Sequence, residues 1–292
     1  MRTQRAISRV RTNDGTHDAS DAGRFHVCYA VHSFTGSHGI VRSLFDTSSG
    51  IAQEFNRTIK KSTNNIIMEQ EHLSDEMYWG LSLSALTLQS LGNCNHRSLF
   101  GFDGKDENVK AFLKSYLYSI GIFNAKEAKD RLYHYRHDQM HNRMFMEAVH
   151  HLDLLSEAEF EAHLDTLETP LEVKRCKIAW LYRHELKETG IRGHEIAQYV
   201  MLMRLYGAYG YLEENEIRLR LYDIAGEVRQ KFHSWDHYHQ NVLAGDQYVK
   251  GYEIHDHSSV LISNPLIAAY YSISNSMYQT DSPFFQLNWS EQ

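Results

Sequence analysis

The chain has 292 residues, of which 42% are hydrophobic and 23% charged, and its formal net charge is -7. This composition is typical of a soluble globular protein with a sizeable core, built as one large domain or two smaller ones. Because 30 basic residues stand against 37 acidic ones, no basic excess is available for a phosphate backbone, and nucleic acid is excluded as the favoured partner.

The three cysteines, Cys28, Cys94 and Cys176, are widely spaced and never form a CxxC pair. That spacing argues against a disulfide framework and against a thiolate zinc site, and it favours a reducing cytoplasm. The first residues lack the apolar run of a secretory signal peptide, and the longest apolar stretch is too short to span a bilayer. We therefore expect a cytoplasmic protein with no membrane partner.

Residues 1–24 are rich in Arg, Asp, Ser, Thr and Gly, and they predict a flexible arm. The segment RFHVCYAVHSF that follows fits either a short strand near residues 25–34 or a short buried helix. From about residue 50 the apolar periodicity is helical almost throughout, and the chain has only three prolines to interrupt it. We assign residues 25–292 to one helical domain.

Three helix starts carry their own capping residues. TPLE at 169–172 combines an N-cap threonine, a proline at the first helical position and a glutamate three residues after the cap. SEAE at 156–159 and NAKE at 124–127 repeat the capping pattern. Downstream, apolar residues recur at helical spacing over 109–120 and 217–232, which predicts a core made of helix faces.

Two segments, 119–133 and 209–223, share a glycine, apolar residues, a polar start, a glutamate and a closing Leu-Tyr. Each reads as a helix, a glycine C-cap, a short turn and a second helix. The general similarity of helical hairpins explains the likeness, and an old duplication is the alternative. The predicted fold is therefore mainly α: a single globular domain of antiparallel helical hairpins.

The stretch 193–245 contains a distinctive series of motifs: an acid opening a helix, an arginine nine residues later, a Gly-Tyr pair, an acidic helix start, a Ser-Trp pair and a late glycine. This series resembles the signature of the bacterial family known as domain of unknown function 1266. The residues that carry it are Glu195, Arg204, Gly210, Tyr211, Glu213, Glu214, Glu216, Ser234, Trp235 and Gly245.

The resemblance extends over roughly residues 77–290, with His141 and Phe145 matching the end of the family's first hairpin and DSPFFQLNW matching its Ser-Pro-aromatic ending. Three positions depart from the family pattern. His194 replaces an aromatic residue, Gln198 replaces an arginine, and Met140 replaces a glycine. The family carries no established activity, so the resemblance implies architecture and little chemistry.

A histidine-rich stretch, HYRHDQMH at 134–141, is one candidate site. On a continuous helix His137 and His141 share a face, and His134 and Asp138 adjoin them. Two imidazoles at that spacing and a carboxylate can bind a divalent metal ion. With 19 histidines in the chain, an exposed cluster without a ligand is the simpler interpretation, and no cofactor is predicted.

Further histidine and aspartate clusters follow later in the chain, and we interpret them as solvated turns. Their members are His233, Asp236, His237, His239, His255, Asp256 and His257.

The better candidates are a polar cluster of Glu195, Arg204, Tyr211, Glu216 and Trp235. Glu195 and Arg204 lie on opposite sides of one helix, so each must reach a neighbouring element. A buried structural ion-pair network is the simpler interpretation, and a ligand-binding cleft is the alternative. We expect Arg204 to be buried and paired with a carboxylate, with Glu216 as the first choice.

The favoured function is that of a bacterial cytoplasmic binding or interaction protein, acting through a cleft lined by tyrosines and acids near Arg204 and Tyr211. Its partner would be a protein or a small molecule. The first alternative is a metal-dependent hydrolase that uses the 134–141 histidines, with His141, Glu195 and Arg204 as catalytic candidates. The second is a secreted effector or toxin-associated protein that uses the Arg-rich arm.

Overall fold

The computed structural model describes residues 73–91, 94–251 and 287–289. These residues all belong to one compact unit. Within them the regular elements are helices, and no strand occurs. The α-helices are α1 (Asp75–Ser82), α2 (Ala85–Gln89), α3 (Glu107–Ser119), α4 (Ala125–Tyr133), α5 (Met140–Leu152), α6 (Glu157–Leu164), α7 (Pro170–Tyr182), α8 (Arg192–Tyr209), α9 (Glu214–Lys231) and α10 (Trp235–Lys250), with a π-helical turn at His134–Asp138 between α4 and α5.

The mainly helical fold is confirmed, and so are the predicted helix starts. The side chain of Asn124 accepts a hydrogen bond from the Glu127 N–H at the start of α4. Complete capping boxes open α6 at 156–159 and α7 at 169–172. In each box the N-cap hydroxyl and the glutamate satisfy backbone N–H groups that would otherwise lack partners.

Helix α8 is the central element of the fold, and 15 of its 18 residues are buried. It packs against α2, α3, α4, α9, α10 and the π-helical turn. The large apolar core forms around α8, and it includes the predicted stripes of α3 and α9. A smaller core lies among α5, α6, α7 and α10, where Phe145, Phe160 and Tyr248 are buried.

The two similar hairpin segments adopt the predicted conformation. Gly121 follows α3 with φ +77°, and Gly210 follows α8 with φ +93°. Side chains are strained at such angles, so glycine suits these turns. The tips of the two hairpins lie side by side, because the Tyr211 hydroxyl donates to the Phe123 carbonyl oxygen at 2.9 Å.

Residues 287–289 dock on the helical body. The Trp289 Nε1 donates to the Phe232 carbonyl, and the Trp235 Nε1 donates to the Leu287 carbonyl. Three indole rings, those of Trp79, Trp235 and Trp289, lie within 5.1 Å of one another between centroids. This tryptophan cluster joins α1, α10 and residues 287–289.

Several sequence predictions lie outside the described residues. They are the flexible arm at 1–24, the strand near 25–34, and the cluster His255, Asp256 and His257. The effector hypothesis depends on the arm, so it stays a hypothesis. Among the helices that are described, none combines the length and apolar character needed to cross a membrane.

Candidate functional site

Glu195 begins the polar network at the start of α8. Its side chain is almost fully buried, and its Oε1 accepts the backbone N–H groups of His141 (3.0 Å) and Asn142 (3.2 Å). Glu195 therefore caps the N-terminus of α5, where a negative charge is favoured. Burial raises the pKa of Glu195, while these N–H groups and Arg192 oppose the rise. The expectation that Glu195 reaches a neighbouring helix is confirmed.

Arg192, which the sequence analysis missed, is the cation of this network. Its side chain is buried, and its Nη1 lies 3.5 Å from Glu195 Oε2. Its Nε donates to Glu227 at 3.0 Å, and its other nitrogens donate to the carbonyls of Tyr135 and Arg136. The i, i+3 spacing to Glu195 was the available signal.

The network continues outward through Arg136. Its guanidinium contacts Glu227 and also donates to Asp223 at 2.8 Å. The chain from Glu195 through Arg192 to Glu227 and Arg136 links α8, α9, α5 and the π-helical turn. A buried structural ion-pair network is therefore present at this position, but Arg192 and not Arg204 is its cation.

The partners of Arg204 differ from those that the sequence predicts. Arg204 is buried as expected, with 0% of its surface exposed, but it pairs with no carboxylate among the described residues. Its donors reach one hydroxyl, that of Ser84, and five carbonyl oxygens, those of Leu81, Asn95, His96, Ser98 and Leu99, at 2.8–3.4 Å. Burial lowers the pKa of Arg204 to about 10, so the guanidinium stays charged at pH 7.

The carbonyls around Arg204 come from the loop at 95–99 and from the end of α1. Backbone carbonyls carry partial negative charges, and five of them solvate a guanidinium without a counter-ion. Arg204 thus fastens this loop to α8. All of its donors are used inside the protein, so Arg204 has a structural role.

Glu216, the predicted partner of Arg204, pairs elsewhere. Its carboxylate lies 3.0 Å from Lys129 Nζ and 2.8 Å from Arg220 Nη2. Burial raises its pKa, but hydrogen bonds from Arg220 and Lys129 outweigh that effect and leave it below the ordinary value. Glu216 therefore connects α9 to α4 near the surface.

Tyr211 and Trp235 lie in different parts of the molecule. Tyr211 is partly exposed at the hairpin tips, where its ring lies 4.7 Å from that of Tyr209. Trp235 is buried in the tryptophan cluster. The structure therefore does not bring Glu195, Arg204, Tyr211, Glu216 and Trp235 into one cleft.

The stretch 134–141 is not one helix, so the predicted shared face of His137 and His141 is wrong. Residues 134–138 form a π-helical turn, and Gln139 then takes a left-handed conformation with φ +46° before α5 begins. His134 contacts Asp138, whereas His137 packs on the Tyr133 ring at 4.5 Å. No group of three or more His, Cys, Asp or Glu in the described ranges is arranged to hold a metal ion.

His141 is the histidine of this stretch that was a candidate catalytic residue. Burial, with Arg175 nearby, lowers its pKa below the ordinary histidine value. Its imidazole is neutral at pH 7, and its backbone N–H serves the Glu195 cap. The later cluster also differs from expectation, because His239 is buried and stacked on Trp235 at 5.9 Å rather than solvated.

A Cys-His contact that the sequence analysis did not single out lies beside Arg204. The Cys94 Sγ is 3.4 Å from His96 Nε2, which also contacts Gln89 Oε1 at 2.9 Å. Burial raises the pKa of the Cys94 thiol to about 12 and lowers that of His96 to about 3. Both groups are neutral at pH 7, so this pair lacks the thiolate that a cysteine nucleophile needs.

Comparison with known proteins agrees with the resemblance found in the sequence. No curated protein and no solved structure matches the chain. One family model matches it, over residues 119–289, a segment that contains the Glu195 network, Arg204, the hairpin tips and the tryptophan cluster residues Trp235 and Trp289. The chain therefore belongs to the family described as protein of unknown function, DUF1266.

Proposed function

We propose that this protein acts by binding another polypeptide through an aromatic surface at the hairpin tips. We call this the tip surface and define it as Tyr118, Phe123, Tyr209 and Tyr211. The observation that carries the proposal is the exposure of this surface. Phe123 is 55% exposed and Tyr118 is 40% exposed, although the protein has a large hydrophobic core in which aromatic side chains are buried. Exposed aromatic groups of this kind are enriched at protein interfaces.

The tip surface is held in a fixed shape. The rings of Tyr118 and Phe123 are 5.2 Å apart, and those of Tyr209 and Tyr211 are 4.7 Å apart. The hydrogen bond from Tyr211 to the Phe123 carbonyl joins the two pairs. Rigid aromatic anchors lose little conformational entropy on binding, which is why such residues carry much of the energy of many interfaces.

Charged groups at the rim indicate what kind of partner segment fits. Glu127 is partly exposed and Glu213 is exposed beside the tips. Lys114 already lies over the Tyr118 ring, 5.5 Å from its centroid, so a cation is compatible with this aromatic face. A partner segment with apolar residues flanked by Lys or Arg matches the tip surface.

Binding is favoured over hydrolysis because the polar candidates have other roles. Glu195 caps a helix, Arg204 holds a loop, and the 134–141 residues do not share a helix face. We also place the interaction in the bacterial cytoplasm. The free cysteines Cys94 and Cys176 support a reducing compartment, and the resemblance is to a bacterial family.

Site-specific photo-crosslinking in the native host tests the proposal. A benzophenone amino acid at position 123 is compared with the same group at position 154, since Leu154 is 83% exposed outside the tip surface. We expect a discrete protein adduct from position 123 alone, and we expect Tyr209→Ala to reduce it. No adduct from position 123, or the same adducts from both positions, would show that the tip surface is not the binding surface.

A further inference from the structure

One side of α9 has an apolar stripe that faces solvent. Leu219 is 72% exposed, Tyr222 is 46% exposed, and the exposed Gly226 continues the stripe at the spacing of one helix face. The polar residues Asn215 and Gln230 are exposed at its two ends. We call these five residues the α9 face. The other side of α9 packs on α1 and α8, so the α9 face is left open in the described part of the chain.

Gly226 indicates that another helix packs on this face. A Cβ at Gly226 meets no atom within 4 Å, and the residue lies in a regular helix rather than in the left-handed region. Neither the space around it nor its backbone conformation therefore requires a glycine. Glycine inside a helix is less stable than alanine, because it loses more conformational entropy on folding. The missing side chain does, however, allow a second helix to approach α9 closely.

The α9 face is complementary to itself when two copies pack antiparallel about a twofold axis. With the axis beside Tyr222, Leu219 of one copy lies opposite the partner's Gly226, and the reverse contact forms on the other side of the axis. Each leucine then fills the space that a glycine leaves open. Asn215 and Gln230 lie opposite each other at the ends, where their amide groups are able to exchange hydrogen bonds. The order of residues along the α9 face therefore matches a second copy of the same chain.

The charges of α9 favour the same antiparallel arrangement. The first turn of the helix contains two acids and the last turn two bases, namely Glu214, Glu216, Arg229 and Lys231. Antiparallel packing brings the acidic end of one helix level with the basic end of its partner, whereas parallel packing would place like charges together. Asp223 lies close to the axis, and its charge is compensated by Arg136 at 2.8 Å.

We propose that the α9 face forms the interface of a twofold-symmetric dimer of this protein. Leu219 packs against the partner's Gly226, and the two Tyr222 rings meet beside the axis. One helix from each copy buries less than the total of about 1,600 Å² that is usual in stable complexes, so the dimer dissociates in the micromolar range. The α9 face shares no residue with the tip surface, and the dimer does not depend on the proposed protein partner.

Sedimentation equilibrium of the full chain at about 5 to 500 μM tests the dimer. The parent should change from monomer to dimer over this range. Leu219→Glu places a charge in the interface and Gly226→Gln fills the gap, so each should raise the dimer Kd roughly tenfold or more. Both positions face water in the monomer, so neither variant should melt below the parent at the lowest concentration. The matched control is Leu154→Glu, which changes a leucine that is 83% exposed outside α9 and should leave Kd unchanged.

Disulfide crosslinking tests the antiparallel register. A mixture of the Leu219→Cys and Gly226→Cys proteins under mild oxidation should form a bond between positions 219 and 226 of different copies, identified by mass spectrometry. Leu219→Cys alone should crosslink through position 219 more slowly, because the two sulfurs then lie about 10 Å apart along the helices. The proposal is overturned if the parent stays monomeric, if Leu154→Glu weakens the dimer as much as Leu219→Glu, or if the 219–219 bond forms as readily as the 219–226 bond.

Discussion

Replacing Arg204 by methionine tests whether its carbonyl cage holds the fold. Methionine keeps most of the apolar length of arginine but none of its donors, so the carbonyls around it lose their cation. For the carbonyls of His96, Ser98 and Leu99, Arg204 is the described partner. At roughly 1–2 kcal/mol for each carbonyl left unsatisfied, the free energy of unfolding should fall by about 3–6 kcal/mol.

The loss should be visible as a change in melting temperature. For a domain of this size about 1 kcal/mol corresponds to roughly 2–4 °C, so Tm of Arg204→Met should fall by roughly 10 °C. The matched control is Arg218→Met, which removes a surface pair with Glu214 at 2.7 Å and should change stability by about 0.5 kcal/mol or less. Circular dichroism melts of both variants give the comparison. If Arg204→Met melts within about 2 °C of the parent, the carbonyl cage does not stabilise the fold.

Two other predictions concern buried histidines and one close helix contact. Burial lowers the pKa of His96 and His239 to about 3 and that of His194 to about 4. The unfolded chain therefore takes up more protons below pH 6.5, and each histidine should remove about 1.4 kcal/mol of stability per pH unit between pH 6.5 and about 4. Melting curves from pH 7 to 5 should show Tm falling below pH 6.5, and a flat profile would contradict the buried neutral histidines. A Cβ at Gly245 would lie 2.2 Å from His194 Cβ, so Gly245→Ala should force α8 and α10 apart and cost about 2–3 kcal/mol. The control is Gly226→Ala, because a Cβ at this exposed helix position meets no atom within 4 Å. This substitution should raise the free energy of unfolding by about 0.5–1 kcal/mol. Similar urea midpoints for both variants would disprove the close contact.

The features that depend on residues close together in the sequence were predicted most reliably. The capping boxes at 156–159 and 169–172 and the apolar stripe at 217–228 depend on residues three or four positions apart, which a sequence shows directly. The glycine turns after α3 and α8 follow from the same kind of short-range constraint.

The candidate site was less predictable because its contacts join distant parts of the chain. Arg204 was correctly expected to be buried, but its partners are backbone carbonyls more than 100 positions earlier in the sequence. Every residue has a backbone carbonyl, so residue types do not indicate which carbonyls an arginine will contact. A carboxylate was therefore the only partner that the sequence could suggest. Arg192 was missed for a related reason, since two of its acceptors are the carbonyls of Tyr135 and Arg136.

The histidine stretch shows how one backbone change alters a face-based prediction. Spacing of four predicts a shared face only on an uninterrupted α-helix. The π-helical turn at 134–138 and the left-handed Gln139 change the direction of each side chain that follows. Nothing in the residue types of HYRHDQMH marks this break.

The tryptophan cluster has a consequence for how the protein folds during its synthesis. Trp79 and Trp289 are 210 positions apart in the chain, yet their rings lie 5.1 Å apart. The ribosome makes the residues of α1 and α10 before it makes residues 287–289. The indoles of Trp79 and Trp235 therefore emerge before Trp289, which contacts both in the folded protein. Closing so long a loop also delays the contact. The nascent chain thus presents an apolar surface until residues 287–289 arrive, and during that interval it is most exposed to aggregation and to chaperones.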